Sequence, residues 1–290
     1  MNPLFAASKV RFLGGFLAIG LSAAAAGGQT PASAAPAPQS AQAAKPHADT
    51  EWLAKTAALY YSSAKAGLTG FDCAVHPDWH ALFVSANKGE TIAEDDPRIV
   101  LLKSVKISIH AHMMGNSTIE WVADSSPDKP LDDSSTALLD GMHQSVEQTL
   151  EGFLQFWSPF MEVSVVPNSA EGLEITHTPT VHTIHAKEGD TEMTEVFSNE
   201  LVLEQFNVNM KGTAIKFSPT YNATPQGLLV SKFAAQILPA GAPPEQAQVM
   251  NVSVDYQTVN GLTIPSHLSM NVIGTGIFDF TFDGCSTNAK

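Results

Sequence analysis

An α+β fold, with helices flanking a strongly curved antiparallel sheet of about nine to eleven strands, is what this sequence predicts, on three observations. Apolar and polar residues alternate through nearly all of the chain after Val165, and no helical period interrupts them. The turn pairs Gly189-Asp190, Ser198-Asn199, Lys211-Gly212 and Asn260-Gly261 punctuate that alternation. Ahead of it, Leu139, Met142, Val146, Leu150, Phe153, Leu154, Trp157 and Met161 recur at steps of three and four, the mark of one amphipathic helix.

The elements follow in chain order. Lys9 and Arg11 open a short basic stretch, residues 12–26 are small and apolar, and Ala24-Ala25-Ala26 offers a cleavage site. Residues 1–26 therefore read as a signal peptide, too short for a comfortable membrane span, and the protein is expected in the periplasm or secreted from a Gram-negative-type bacterium. Residues 27–48, rich in Ala, Pro, Gln and Ser, predict a disordered linker. Residues 49–290 are then expected as a single domain, about 240 residues being ample for one core.

Asp49 is the expected cap of a helix over 50–66, whose stripe includes Trp52, Leu53, Tyr60, Tyr61 and Ala64. A short strand at 71–75 and a helix over 77–87 follow, with Pro77 at its first position and Gly89 past its end. From Ile99 the odd positions through Ala111 are mostly apolar, which predicts one long half-buried strand, turned at Gly115-Asn116 into a second through Ile119, Trp121 and Ala123. A polar loop over 124–133 leads to the long helix, capped by Asp133, Ser134 or Ser135 and ended near Pro159. Strands are expected at 172–177, 181–187, 191–197, 200–209, 212–218, 227–238, 247–258, 262–273 and 276–284.

The chain has 15 basic and 29 acidic residues; without Lys9 and Arg11 it has 13 against 29, a net charge of −16. Such a surface repels nucleic acid and anionic lipid, so neither is an expected partner. The two cysteines, Cys73 and Cys285, lie in similar Phe-Asp settings near the two ends of the mature domain. In an oxidising compartment they predict a disulfide, which would contribute about 5 kcal/mol by closing so long a loop.

Few residues point to catalysis. His110 and His112 share a strand face, and His177, His182 and His185 cluster later, so a metal-dependent enzyme using strand histidines stays open as an alternative. His76 and His80 flank a helix start and suit capping or surface roles. Asp95-Asp96 and Asp132-Asp133 precede expected turns and caps, and neither a Gly-x-Ser-x-Gly turn nor a phosphate-cradling glycine loop occurs. The chain is accordingly expected not to be an enzyme and to need no cofactor.

The remaining constellation is apolar. Met142, Phe153, Trp157, Phe160 and Met161 of the long helix are expected to meet Met250, Val252, Met270, Phe278 and Phe280 of the sheet. They are the candidate lining of a hydrophobic ligand site, methionine suiting irregular ligands. The same residues filling one another's space would make a structural or interaction protein of the cell envelope with a packed core, the other alternative.

A family resemblance rests on Asp255-Tyr256, Val259-Asn260-Gly261, Ile264-Pro265 and the strand 227–238 after Phe217-Ser218-Pro219. With the order of export signal, first helix, hairpin, amphipathic helix and meander, the chain resembles the periplasmic lipoprotein-carrier superfamily, the LolA-like and LppX-like proteins. The resemblance implies an unclosed half-barrel whose concave face is apolar and covered by helices, and a monomeric, non-catalytic carrier of a lipid or other hydrophobic small molecule, with an envelope protein as a further candidate partner. Arg98 is the only arginine after the signal, and the lid arginine of the carriers proper has no counterpart that can be placed. Lipoprotein traffic as the specific role therefore does not follow from the resemblance.

Overall fold

The computed structural model describes residues 44–87, 90–113, 117–123, 131–161, 165–273 and 276–289. The expected signal peptide, most of the linker, the Gly115-Asn116 turn and most of the 124–133 loop lie outside the described residues. Twelve strands form one antiparallel sheet: β1 (Leu68–Pro77), β2 (Lys106–His112), β3 (Thr118–Val122), β4 (Glu174–His177), β5 (Val181–Glu188), β6 (Thr191–Ser198), β7 (Leu203–Met210), β8 (Thr213–Thr224), β9 (Gly227–Leu238), β10 (Gln248–Val259), β11 (Leu262–Val272) and β12 (Gly276–Ala289).

The strand order is β3-β2-β1-β12-β11-β10-β9-β8-β7-β6-β5-β4, an open sheet with β3 and β4 at its edges. Two meanders meet where the first strand pairs with the last, from Leu68↔Ala289 to Pro77↔Phe280. There are twelve strands rather than about nine to eleven, since the short edge strands also pair, β4 along all four of its residues.

Four α-helices precede β4 among the described residues: α1 (Ala44–Ala57), α2 (Trp79–Ala86), α3 (Pro97–Lys103) and α4 (Asp133–Met161). Four expectations need correction. First, the long strand from Ile99 does not begin there. Asp96 accepts from the Arg98 backbone N–H at 2.9 Å and Pro97 sits in the first turn, so Ile99 and Leu102 are buried on a short helix before β2 starts at Lys106. Second, α1 starts at Ala44 and ends at Ala57, so Asp49 lies inside it and is not its cap. Third, β1 runs through Pro77, and it is Asp78 that caps α2, accepting from Ala81 N–H at 2.9 Å. Likewise Asp132, not the residues after it, caps α4 by accepting from Ser135 N–H at 2.7 Å.

Beyond α1 the chain gives up helical bonding for sheet bonding. Leu228 N–H donates to Leu59 O at 2.7 Å, and Tyr61 N–H donates to Leu228 O at 2.9 Å, a parallel bridge onto β9. The approach is possible because residue 227 is glycine: its φ is +124°, and a Cβ there would sit 2.8 Å from both Leu59 O and Tyr61 N. Ser63 then ties this segment to the end of α4, its N–H and hydroxyl both donating to Met161 O, at 2.9 and 2.8 Å.

One face of the sheet carries the core. Phe71, Phe233, Phe280, Leu150, Phe153 and Trp157 are essentially without exposure, each worth about 1.5–3 kcal/mol of burial. Helix α4 meets the sheet through Trp157 against Phe71 of β1, Phe160 against Phe233 of β9 and Phe156 against Phe217 of β8, with ring centroids 6.3, 5.9 and 5.2 Å apart. Helix α2 lies at β12, where the Ser85 hydroxyl accepts from Ile277 N–H at 2.8 Å. Cys73 of β1 and Cys285 of β12 are joined by a disulfide.

Candidate functional site

The ten apolar residues nominated from sequence all face the core. Met142, Phe153, Trp157, Phe160 and Met161 of α4, and Met250, Val252, Met270, Phe278 and Phe280 of β10–β12, are each 9% exposed or less. Register brings Val252, Met270 and Phe278 side by side across three strands. Trp157 also has a polar partner: its Nε1–H donates to the Tyr256 hydroxyl at 3.0 Å, and that hydroxyl donates to Val230 O at 2.6 Å. Tyr256 is thus a partly buried strut between helix and sheet, its pKa driven up mainly by burial of the hydroxyl end. These residues pack densely. A groove of about 320 Å³ lies elsewhere, lined by polar residues such as Thr194, Asn207, Lys216 and Gln236 together with apolar ones such as Val208 and Leu238, and by none of the ten.

The apolar face continues past this packed region onto β5, β6 and β7, and there its cover is incomplete. Phe206 and Val208 border the core and are only partly buried. Met193, paired with Val208, and Met210, paired with Thr191 and Thr213, are also partly exposed. Pairing of β7 with β8 runs from Met210↔Thr213 to Phe206↔Phe217, whereas β8 continues along β9 to Thr224. Beyond Phe217 the two strands therefore have different partners.

A carboxylic acid sits on this stretch. Glu195 of β6 has the same parity as Met193 and Phe197, and lies between Ile184 of β5 and Phe206 of β7. Its side chain is partly covered, yet its Oε2 is sealed from solvent with no hydrogen-bond partner among the described residues. Burial pushes its pKa from 4.5 to about 8, so the carboxyl keeps its proton at neutral pH. The Tyr221 hydroxyl of β8 is likewise sealed and unpartnered among the described residues, and its pKa is raised by burial and then by Tyr60 and Glu195.

Tyr60 completes the group and differs from both. Its ring lies edge-on to Tyr221 at 5.3 Å, but its hydroxyl is fully used, donating to Leu201 O at 3.0 Å and accepting from Leu203 N–H at 2.7 Å. Burial pushes its pKa up to about 12. The sequence reading missed all three. The only signal for Glu195 was its place in Met193-x-Glu195-x-Phe197, an acid on the apolar side of an alternating strand.

The histidines do not assemble as one cluster. His177 and His182 meet Nδ1 to Nδ1 at 2.9 Å beneath Trp52, and His177 Nε2 lies 3.2 Å from Asp49 Oδ1. The neutral form of His182 is favoured by burial and then by His177. His185, three residues on, falls on the other face and meets the Thr194 hydroxyl at 3.2 Å. His110 Nδ1 lies 2.7 Å from Asp72 Oδ1, and its Nε2 is 3.6 Å from Glu120 Oε2, beyond hydrogen-bond reach. Hydrogen bonding to Asp72 is the chief reason the His110 pKa is raised. Among the described residues no three His, Cys, Asp or Glu side chains converge as a metal site.

Among the described residues no helix is long and apolar enough to cross a membrane. No family model, curated protein or solved structure matches this chain.

Proposed function

We propose that this protein is a non-catalytic carrier or sensor that holds a hydrophobic, acyl-chain-like ligand against the partly uncovered stretch of its apolar face. In this reading the sheet bends as a half-barrel, α4 plugs its concave side over β1 and β8–β12, and the ligand lies beyond the plug. The ten residues nominated from sequence then serve as the rigid wall beside the ligand rather than its lining. One observation carries the reading. The apolar face is longer than its cover, leaving Met193, Phe206, Val208 and Met210 partly exposed on one surface. The Cys73–Cys285 bond fits an oxidising compartment, periplasmic or extracellular, reached through the signal peptide proposed at 1–26.

Native mass spectrometry of protein purified from its own host tests this: one lipid-sized adduct per chain is expected, and Val208→Glu should lose it while still unfolding in one cooperative transition. Homogeneous ligand-free protein that also takes up no apolar fluorophore would sink the proposal. It would favour the other reading, a packed envelope protein acting by contact with a partner. The density of packing around Phe153, Trp157 and Phe280 is the observation on that side.

A further inference from the structure

The geometry points to Glu195 and Tyr221 as the head-group subsite of that face, a pair of O–H donors that grips the carbonyl oxygen of a neutral acyl ester. This rests on the carrier reading and adds to it the chemistry of the ligand's polar end. Both groups lie among apolar neighbours, Glu195 between Ile184 and Phe206, and Tyr221 packed against the core beside Tyr60. Glu195 Oε2 and the Tyr221 hydroxyl are closed off from water, and neither has a partner among the described residues. Leaving a buried polar group unpaired costs about 1–3 kcal/mol, so two on one surface call for a shared occupant. Tyr60, whose hydroxyl is fully used, is not part of the grip.

The kind of occupant follows from what the two groups offer. A protonated carboxyl and a phenol both donate, and one carbonyl oxygen, with two lone pairs, accepts both bonds. A protonated amine has no lone pair to accept either O–H, and it brings a charge into the same buried site. A carboxylate head would accept both bonds but would carry its charge into a site where burial already holds Glu195 neutral. The neutral ester satisfies both donors with no buried charge. The acyl chain then runs along Phe206, Val208 and Met193, within the reach that β6–β7 pairing sets.

The titratable groups around Glu195 leave the acid as the pH-sensitive member. Tyr60 and Tyr221 both have raised pKa values, and further out on the same side are His177 and His182 of β4 and β5 with Asp49 of α1. Ionising Glu195 removes one donor and places a negative charge beside the carbonyl oxygen, so ester binding should weaken as pH rises through the acid's titration.

The test is fluorescence titration of full-length mature protein with four pyrene-labelled compounds of equal chain length: a methyl ester, the free acid, a primary amine and an alkane. The ester should bind tightest, at least about tenfold more weakly near pH 9.5 than near pH 6, while alkane binding should not change with pH. Glu195→Gln, which keeps a donor, should hold ester affinity within about threefold and abolish the pH dependence. Tyr221→Phe should cost the ester about tenfold and leave the alkane unaffected. The carbonyl stretch of the bound ester should lie at lower frequency in wild type than in Tyr221→Phe, a readout independent of stability. If ester and alkane bind alike with no pH dependence, or the amine or the acid binds tightest, the head-group assignment is overturned and the carrier reading stands. Should none of the four bind, both are overturned.

Discussion

A single acid on an apolar strand face changes how this protein should respond to pH. Glu195 titrates near 4.5 when unfolded and at about 8 when folded, so between those values the folded chain binds more protons than the unfolded one. Stability from this residue is therefore intact below about pH 4.5 and declines as pH rises towards about 8. Glu195→Gln removes that slope. The variant and the wild type should unfold alike near pH 4, and the variant should be the more stable by more than about 1 kcal/mol near pH 8. Urea unfolding at several pH values measures the difference, and two parallel profiles would show that the carboxyl is not desolvated. Asp72, its pKa lowered chiefly by its hydrogen bond with His110, opposes this trend, and His110, its pKa raised chiefly by the same bond, adds to it, both only weakly, since the two side chains are more than one third exposed.

At the scale of elements, the sheet was easier to read than the helices, for a physical reason. Alternation is a local signal, and the strand expected at 227–238 is the one observed, while β5, β6, β10 and β11 match within one residue at each end. Helix limits depend on single capping contacts. Asp96-Pro97 held the cap and first turn of α3, but the odd-position apolar pattern through Ile99 and Leu101 looked equally like a strand. Tyr60 and Tyr61 fit a helical stripe in sequence. They leave the helix because β9 supplies backbone partners to Leu59 and Tyr61 on either side of Tyr60, a long-range contact that no local pattern announces. The same contact explains the site: the apolar wall could be read from parity, whereas the packing of Tyr60 against Tyr221 depends on where segment 58–63 docks.

That docking makes Gly227 a test of the element. Gly227→Ala meets the backbone of Leu59 and Tyr61 directly, at a positive φ that alanine tolerates poorly. It should cost more than about 2 kcal/mol and expose the Tyr60 hydroxyl. Gly189→Ala also has a positive φ, but an added Cβ there meets nothing within 4 Å, so it should cost only about 1 kcal/mol. Thermal melts of the two variants make the comparison. Equal losses would mean that segment 58–63 is not held against β9.

Across the whole molecule, the seam that matters is the one between the first strand and the last. Every other neighbouring pair in the sheet is joined within one meander, but β1 meets β12 from 212 residues away along the chain, as measured between the bonded cysteines. Without that seam, β1–β3 would pair with nothing on their β12 side, and Phe71 would lose the strand that sets it against Trp157. Closing the seam is entropically costly for a long unfolded chain, and the Cys73–Cys285 bond lowers that cost by about 5 kcal/mol in the chain-entropy model. The double variant Cys73→Ser/Cys285→Ser should therefore melt well below the oxidised wild type, by on the order of 3–5 kcal/mol, and should be indifferent to reductant. Reduced wild type should fall to the same stability as the variant. Hydrogen exchange under reducing conditions should then show amides of β1 and β12 opening before those of β8 and β9, which are neighbours in sequence. Uniform opening of all twelve strands would mean that packing of α4, not the bond between the chain's ends, holds the seam closed.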